Sequence, residues 1–296
     1  MATKKLTKAQ RREEIAGWAL ISPQVIGFLA FVAFPLVFSI VLCFCEWNYI
    51  DMPTPVGFKN FERCFGDDVF WRSILNTFIY IGLVVPSTLI CSLTIALMTN
   101  RKLPLKKFYK AAFFLPMVTS TIAIGTVWSF IFQTNGGVLN TVLGIFGINA
   151  LDWFNDETLA RIAVAIVSTW LKIGYYYIIF DAGLKNIPKD LYEAADVEGA
   201  SWWQKFVRIT MPMLSSVTFF VVVMLFIDVF NMFNEVYIMT GGGPNYSTFT
   251  LSMYIFYYAF NQADMGRAAV ASWVLFSLVG IITAIEFFVK KKVVYE

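Results

Sequence analysis

Lys172 is a lone base inside a long apolar stretch. Ser168 lies four residues before it and Tyr175 three after, so a helix sets all three on one face. A second apolar stretch carries Asp228, Asn231 and Glu235 at i, i+3 and i+7, with Asn234 beside them. Ionisable side chains are costly in lipid and mark solute, ion or proton pathways. Two roles fit these residues: an interhelix ion pair between Lys172 and Asp228, or a polar pathway bonding solute hydroxyls or a solute carboxylate. Covalent chemistry is poorly served. The 296 residues include no histidine, which removes Ser-His-Asp and Cys-His systems. Cys43, Cys45, Cys64 and Cys91 form no C-x-x-C pair, so they read as small buried hydrophobes and not as a zinc or disulfide framework.

The segment "YEAADVEGASWWQKFVRITMP", Tyr192 to Pro212, is a different kind of feature. Asp190-x-x-Glu193, with Pro188 upstream, suits a capping box that opens a helix running through Glu198. Gly199 permits a sharp turn. Ser201-x-x-Gln204 is a second capping-box pattern, opening a helix with Trp202, Phe206 and Ile209 near one face and Lys205 and Arg208 near another. Pro212 is expected in the first turn of the next apolar helix, where a missing N–H costs little. Such a bent pair could lie in lipid headgroups as an amphipathic anchor or stand out as a knob for a protein partner. Glu193, Asp196 and Glu198 would repel anionic lipid, which favours the knob.

The elements that position these residues follow from hydropathy. The chain is 58% hydrophobic and 15% charged, with 30 phenylalanines, against about 25% charged in ordinary soluble domains. It reads as an all-α polytopic membrane protein of six spans, about 18–45, 73–98, 111–132, 159–183, 213–239 and 268–289. The first has too long an apolar run for a signal peptide and reads as a retained anchor. Pro35, Pro86 and Pro116 are expected to kink their helices, and Glu286 to snorkel from the last span.

Orientation follows from the bases. Lys4, Lys5, Lys8, Arg11 and Arg12 precede the first span. Arg101, Lys102, Lys106, Lys107 and Lys110 follow the second. Lys185, Lys189, Lys205 and Arg208 lie between the fourth and fifth, and Lys290, Lys291 and Lys292 follow the sixth. These are 17 of the 23 bases, so both termini and the polar cassette are expected in the cytoplasm. The expected organisation is a tail 1–17, a membrane domain 18–289 with a cytoplasmic loop 184–212, and a tail 290–296. The expected location is a cell membrane, and a net charge of +3 with clustered bases gives no case for nucleic acid.

"EAADVEGASWWQKFVRITMP" resembles the EAA motif of ABC-importer permeases. "GFKNFERCFGDDVFWRSILNTF", "FFLPMVTSTIAIGTVW", "STWLKIGYYY", "NIPKDLYEAADVEGAS" and "NEVYIMTGGGP" are similar to the carbohydrate (maltose and multiple-sugar) branch over nearly the whole chain. "LISPQVIGFLAFVAFPLVFSI" is similar to the first of the two permeases such systems use. Glu198 stands where Asp is usual, and Met211 where Leu is usual. The resemblance implies a type I ABC-importer permease fold in a binding-protein-dependent sugar or oligosaccharide importer. It implies a coupling helix on Glu193, Ala194, Ala195 and Gly199, ending at Pro212, seated on a cytoplasmic ABC ATPase dimer. The other implied partners are a second homologous permease, an extracytoplasmic sugar-binding protein facing the "TGGGP" loop, and the sugar itself. Met117, Thr121, Ser168, Lys172, Tyr175, Leu225, Asp228 and Val229 are the implied pathway positions, joined by Asn231, Asn234 and Glu235 from the pattern above. No cofactor is expected on this chain. It lacks G-x-x-x-x-G-K-[ST] and cannot cradle phosphates that way, so ATP and Mg belong to the ATPase.

The rival reading is a stand-alone secondary transporter or channel driven by an ion gradient, with Lys172, Asp228 and Glu235 as a relay. It predicts related repeats and interrupted helices. The sequence displays neither, and that reading leaves the cassette without a purpose.

Overall fold

The computed structural model describes residues 7–100 and 106–293. Lys4, Lys5, Arg101, Lys102 and the end of the C-terminal tail, 294–296, lie outside the described residues. Four helices are long and apolar enough to cross a membrane, and two bent pairs raise the number to as many as six.

In chain order, α1 (Lys8–Phe28) passes through a π-helical turn, Leu29–Ala33, into α2 (Phe34–Leu42). Helix therefore begins inside the stretch expected as a tail. This first span buries almost none of its surface on the rest of the chain. β1 (Cys45–Glu46) pairs antiparallel with β2 (Thr54–Pro55), Cys45 opposite Pro55, and α3 (Lys59–Phe65) follows. Helix α4 (Asp68–Asn100) runs through Pro86 without a break. Next come α5 (Lys106–Val118), α6 (Thr121–Ile131), α7 (Val138–Ile145) and α8 (Glu157–Lys185). The cassette comprises α9 (Lys189–Val197), α10 (Trp202–Lys205), a π-helical turn Phe206–Thr210 and α11 (Met211–Met213). Then α12 (Ser215–Phe230), α13 (Asn234–Met239), α14 (Leu251–Phe256) and α15 (Met265–Val293) complete the order.

The core forms where α4 and α8 meet. Buried positions on α4 recur as Ser73, Asn76, Thr77, Tyr80, Val84, Thr88, Ser92, Ala96 and Thr99, the three-and-four spacing of one helix face. Ala160, Ala163, Val164, Val167, Ser168, Leu171 and Gly174 form the answering stripe on α8. Lipid tails are as apolar as leucine, so association here rests on close packing and hydrogen bonds, which small residues permit. Gly174 shows how close: a Cβ there would lie 2.0 Å from the Phe113 carbonyl oxygen of α5.

At the end of the bundle opposite the cassette, polar side chains tie the connections down. Asn60 donates to the Cys43 and Cys45 carbonyls at 3.1 and 2.8 Å. Asn140 donates to Leu151 O at 2.8 Å and accepts from the Trp153 indole at 3.1 Å. The loop between α13 and α14 is clamped by Arg72 on Asn245 O at 2.6 Å, Asn76 on Tyr246 O at 2.7 Å and Arg161 on Ser247 O at 2.8 Å. Arg267 pairs with Asp67, which also accepts from the Tyr254 and Tyr258 hydroxyls at 2.9 and 3.2 Å.

Several expectations need correction. The stretch 111–132 is two helices, α5 and α6, meeting at 99°; the stretch 213–239 is also interrupted, between α12 and α13. Both breaks sit at small polar residues that hydropathy averages away. Pro116 lies just ahead of the first one. Glu286 does not snorkel: both its carboxylate oxygens are buried without a partner among the described residues, held between α12 and α15.

Candidate transport cavity and coupling cassette

The two helix breaks face one cavity of 490 Å³. At the first, Ser120 adopts an extended conformation (φ −56°, ψ 123°) between α5 and α6. Thr119 bonds its hydroxyl back to Leu115 O at 2.9 Å. At the second, Asn231 ends α12 with its amide on Ile227 O at 2.8 Å. Thr250 donates to Met232 O at 2.8 Å and Ser252 to Phe230 O at 2.9 Å. Irregular backbone at membrane depth is tolerated where such partners are supplied or where it lines a cavity. Both conditions are met here.

Met117, Thr121, Lys172, Tyr175, Asp228, Asn231, Asn234 and Glu235 line this cavity. Ser168 stands behind it, fully buried, donating to Glu235 Oε1 at 3.3 Å. Leu225 and Val229 do not line it. They are fully buried in the main core, because positions three before and one after Asp228 turn toward α4 and α8 when Asp228 faces the cavity. Tyr176, Phe233, Met224, Met232 and Leu171 complete the lining and were missed by sequence reasoning. The adjacency of Tyr176 to Tyr175 was the only available signal for it.

The charge pairing also differs from the expected Lys172–Asp228 pair. Lys172 Nζ lies 3.2 Å from Glu235 Oε1. Asp228 instead accepts the Tyr176 hydroxyl on Oδ2 at 2.5 Å. The break between α12 and α13 is the cause: it lets Glu235 leave the α12 register and reach back to α8. The cavity thus combines an ammonium–carboxylate pair, a second carboxylate, two amides and three aromatic rings. It offers hydrogen-bond acceptors and flat apolar faces. A larger groove of 680 Å³ runs between α12 and α15, but its lining is mostly apolar, with Ser215, Thr218, Glu286 and Lys290 as its polar members. Chemistry favours the smaller cavity.

The cassette is built as two tied arms. α9 ends at a Schellman-type turn: Gly199 N–H reaches Asp196 O at 3.1 Å and Ala200 N–H reaches Ala195 O at 2.9 Å. Gly199 takes φ +75°, the left-handed conformation that favours glycine. The Ser201–Gln204 capping box is formed in both directions, at 3.3 and 2.7 Å. The Asp190–Glu193 box is not. Pro188 occupies the N-cap and has no side-chain acceptor, so Asp190 is already inside the helix. Lys205 pairs with Asp196 at 2.5 Å, and the Tyr192 and Thr210 hydroxyls meet at 2.9 Å, joining one arm to the other. Glu193, Ala194 and Gly199 are exposed, Ala195 is half-buried, and Val197 stands 90% exposed.

Pro212 does not open the fifth span. It lies in α11, before a 66° bend at Leu214, and α12 starts at Ser215. Leu214 is fully buried, and both it and Val217 press on Gly183 of α8. At the foot of the cassette, Asp181 on α8 accepts Lys185 at 2.5 Å and also pairs with Lys110 of α5. An acid inside a candidate span, four residues before a lysine, was the signal for this latch.

The sequence profile of the family described as binding-protein-dependent transport system inner membrane component matches residues 65–291. The chain is 38% identical over 288 residues to a probable ABC transporter permease protein, YesP, of Bacillus subtilis, covering 96% of this chain and 93% of that one. It is 32% identical to the lactose transport system permease protein LacF of Rhizobium radiobacter, covering 99% of both. In fold it is similar to a chain of a bacterial alginate ABC transporter crystallised with an alginate pentasaccharide-bound periplasmic protein. That likeness has a TM-score of 0.84 at 22% identity and covers 98% of each chain. With several apolar helices, a profile match across most of its length and relatives aligned nearly end to end, the chain belongs to the family of inner-membrane components of binding-protein-dependent transport systems.

Proposed function

We propose that this chain forms half of the translocation pathway of an ATP-driven importer for sugars or oligosaccharides. It pairs with a second homologous permease and receives solute from an extracytoplasmic binding protein. Its cassette sits on a cytoplasmic ABC ATPase dimer, which alone binds ATP and Mg. Six spans cross the membrane, counting α5–α6 and the bent run from α10 through α12 as one each, and both termini are cytoplasmic. The amide of Met265, at the start of α15, bonds to Trp47 O beyond the end of α2 at 3.2 Å. That contact brings those two helix ends together and supports putting Lys8 and the far end of α15 on the opposite side, with the cassette. Lys110, Lys185, Lys205, Arg208 and Lys290 gather there as well, as the positive-inside rule requires.

The observation that carries this reading is mechanical continuity. The exposed arms of α9 and α10 run through α11 and the bend at Leu214 into α12, which holds Asp228 and ends at the cavity break. A rigid displacement of the cassette is thereby delivered to the cavity. Closure of the ATPase dimer carries the cassettes of both permeases along, turning the bundle from inward- to outward-facing; hydrolysis then resets it. Relatives named for lactose and for starch degradation products support a saccharide as cargo. Interrupted helices also suit an ion-driven transporter, but family membership and the exposed cassette favour the ATP-driven reading. Co-purification of the chain with its genomic neighbours, followed by an ATPase assay, tests it. Binding protein with cognate saccharide should raise turnover severalfold; turnover that ignores both would count against the assignment.

A further inference from the structure

The cavity holds three formal charges from this chain, and they are not equivalent. Lys172 is committed to Glu235 at 3.2 Å, with side chains only 16% and 8% exposed. Glu235 is held in place by the Ser168 hydroxyl, so the pair is neutral as a unit. Asp228 is the remaining charge. The Tyr176 hydroxyl donates to its Oδ2, and among the described residues no lysine or arginine pairs with it. Among the described residues no donor is bonded to its other oxygen, and Asp228 lines the cavity.

Such a cavity takes hydrogen-bond donors and excludes anions. Resting on the importer reading above, we infer that this chain's half of the pathway admits neutral or amino-bearing saccharides and disfavours those carrying carboxylates. A sugar carboxylate would stand against Asp228. Drawing Lys172 away to meet it would strand Glu235 as an unpaired buried charge. Hydroxyls and ammonium groups can donate to Asp228 directly, and the rings of Tyr175 and Phe233 supply faces for a pyranose.

A reporter thiol tests the charge without any sugar. Thr121→Cys, in the full reconstituted transporter, is modified with a cationic and an anionic methanethiosulfonate, and the unsubstituted transporter is subtracted as background. The cation-to-anion rate ratio should exceed that of an exposed thiol by about a hundredfold, since one unit charge at roughly 8 Å with an effective dielectric constant near 30 favours the cation and disfavours the anion by about tenfold each. Asp228→Asn, which keeps the side chain's shape, should return the ratio to the exposed value. Glu235→Gln should lower it similarly by releasing Lys172. An anion-preferring ratio, or one unmoved by Asp228→Asn, overturns the inference. In parallel, equilibrium binding to the same transporter should favour maltotriose and a glucosamine trisaccharide over a galacturonate trisaccharide by about tenfold. Equal or tighter galacturonate binding also overturns it. Loss of all three with the charge ratio intact would count against the sugar assignment instead.

Discussion

Replacing Gly199 separates the coupling turn from the membrane bundle. An added Cβ meets nothing within 4 Å, so Gly199→Ala changes no packing. What it changes is backbone: at φ +75° a non-glycine residue costs roughly 1–2 kcal/mol, reducing the population of the native turn by a factor of about 5–30 relative to its alternatives. The turn also has its two backbone bonds, to Asp196 O and Ala195 O, in its favour, so alanine should weaken coupling without abolishing it. Gly199→Pro goes further. Its ring fixes φ near −65°, far from the observed value, and deletes the N–H that reaches Asp196 O at 3.1 Å. The turn cannot then form, and α9 no longer stands at its angle to α10. In proteoliposomes holding the complete transporter, Gly199→Ala should retain measurable saccharide uptake. Gly199→Pro should lose uptake while the thermal midpoint of the bundle stays within a few degrees of the parent's. Normal uptake by Gly199→Pro with ordinary ATP turnover would refute the coupling role of the turn. A bundle that fails to assemble would refute its independence from the cassette.

Other expectations follow from individual contacts. Glu193→Lys reverses an exposed charge on α9, so under the proposed coupling role uptake should fall with the membrane bundle intact, as read by size-exclusion chromatography. Lys172→Met leaves Glu235 charged and unpaired and should cost about 3–5 kcal/mol, whereas adding Glu235→Gln should recover most of the loss; thermal unfolding of the two variants decides. Arg161→Ala releases the clamp on Ser247 O and should weaken stimulation by binding protein while leaving basal ATP turnover alone. Cys64 is fully buried and its thiol is pushed up to about 12, chiefly by burial. It therefore remains protonated at pH 8, and maleimide should label it only after unfolding.

Legibility in the sequence followed the range of the interaction. The cassette was readable because its determinants are local: Gly199 sets a turn, and Ser201 and Gln204 cap each other over three residues. The Asp190 box failed by a similarly local margin, since Pro188 let the helix begin two residues too early for Asp190 to cap it. The four long apolar helices were legible because about twenty apolar residues in a row leave few alternatives. The breaks at Ser120 and Asn231 were not, because one serine or asparagine scarcely changes a hydropathy average. What permits the second is distant: Thr250 and Ser252 supply hydrogen bonds to the freed Met232 and Phe230 carbonyls. The ion pair followed from that. With α12 and α13 read as one helix, Asp228 was the natural partner of Lys172; once the chain breaks, Glu235 reaches it and Asp228 is left to Tyr176. Leu225 and Val229 were carried over by position alone, and burial in the core removes them from the cavity wall.

The central claim is that a motion generated outside this chain reaches Asp228 and the cavity through the cassette. Uptake of labelled saccharide into proteoliposomes, with and without the ATPase subunits, measures this most directly. Uptake that requires the ATPase, binding protein and hydrolysable ATP on the cassette side is the predicted result. Full uptake by the permease pair without ATPase, driven by a proton or sodium gradient, would contradict it.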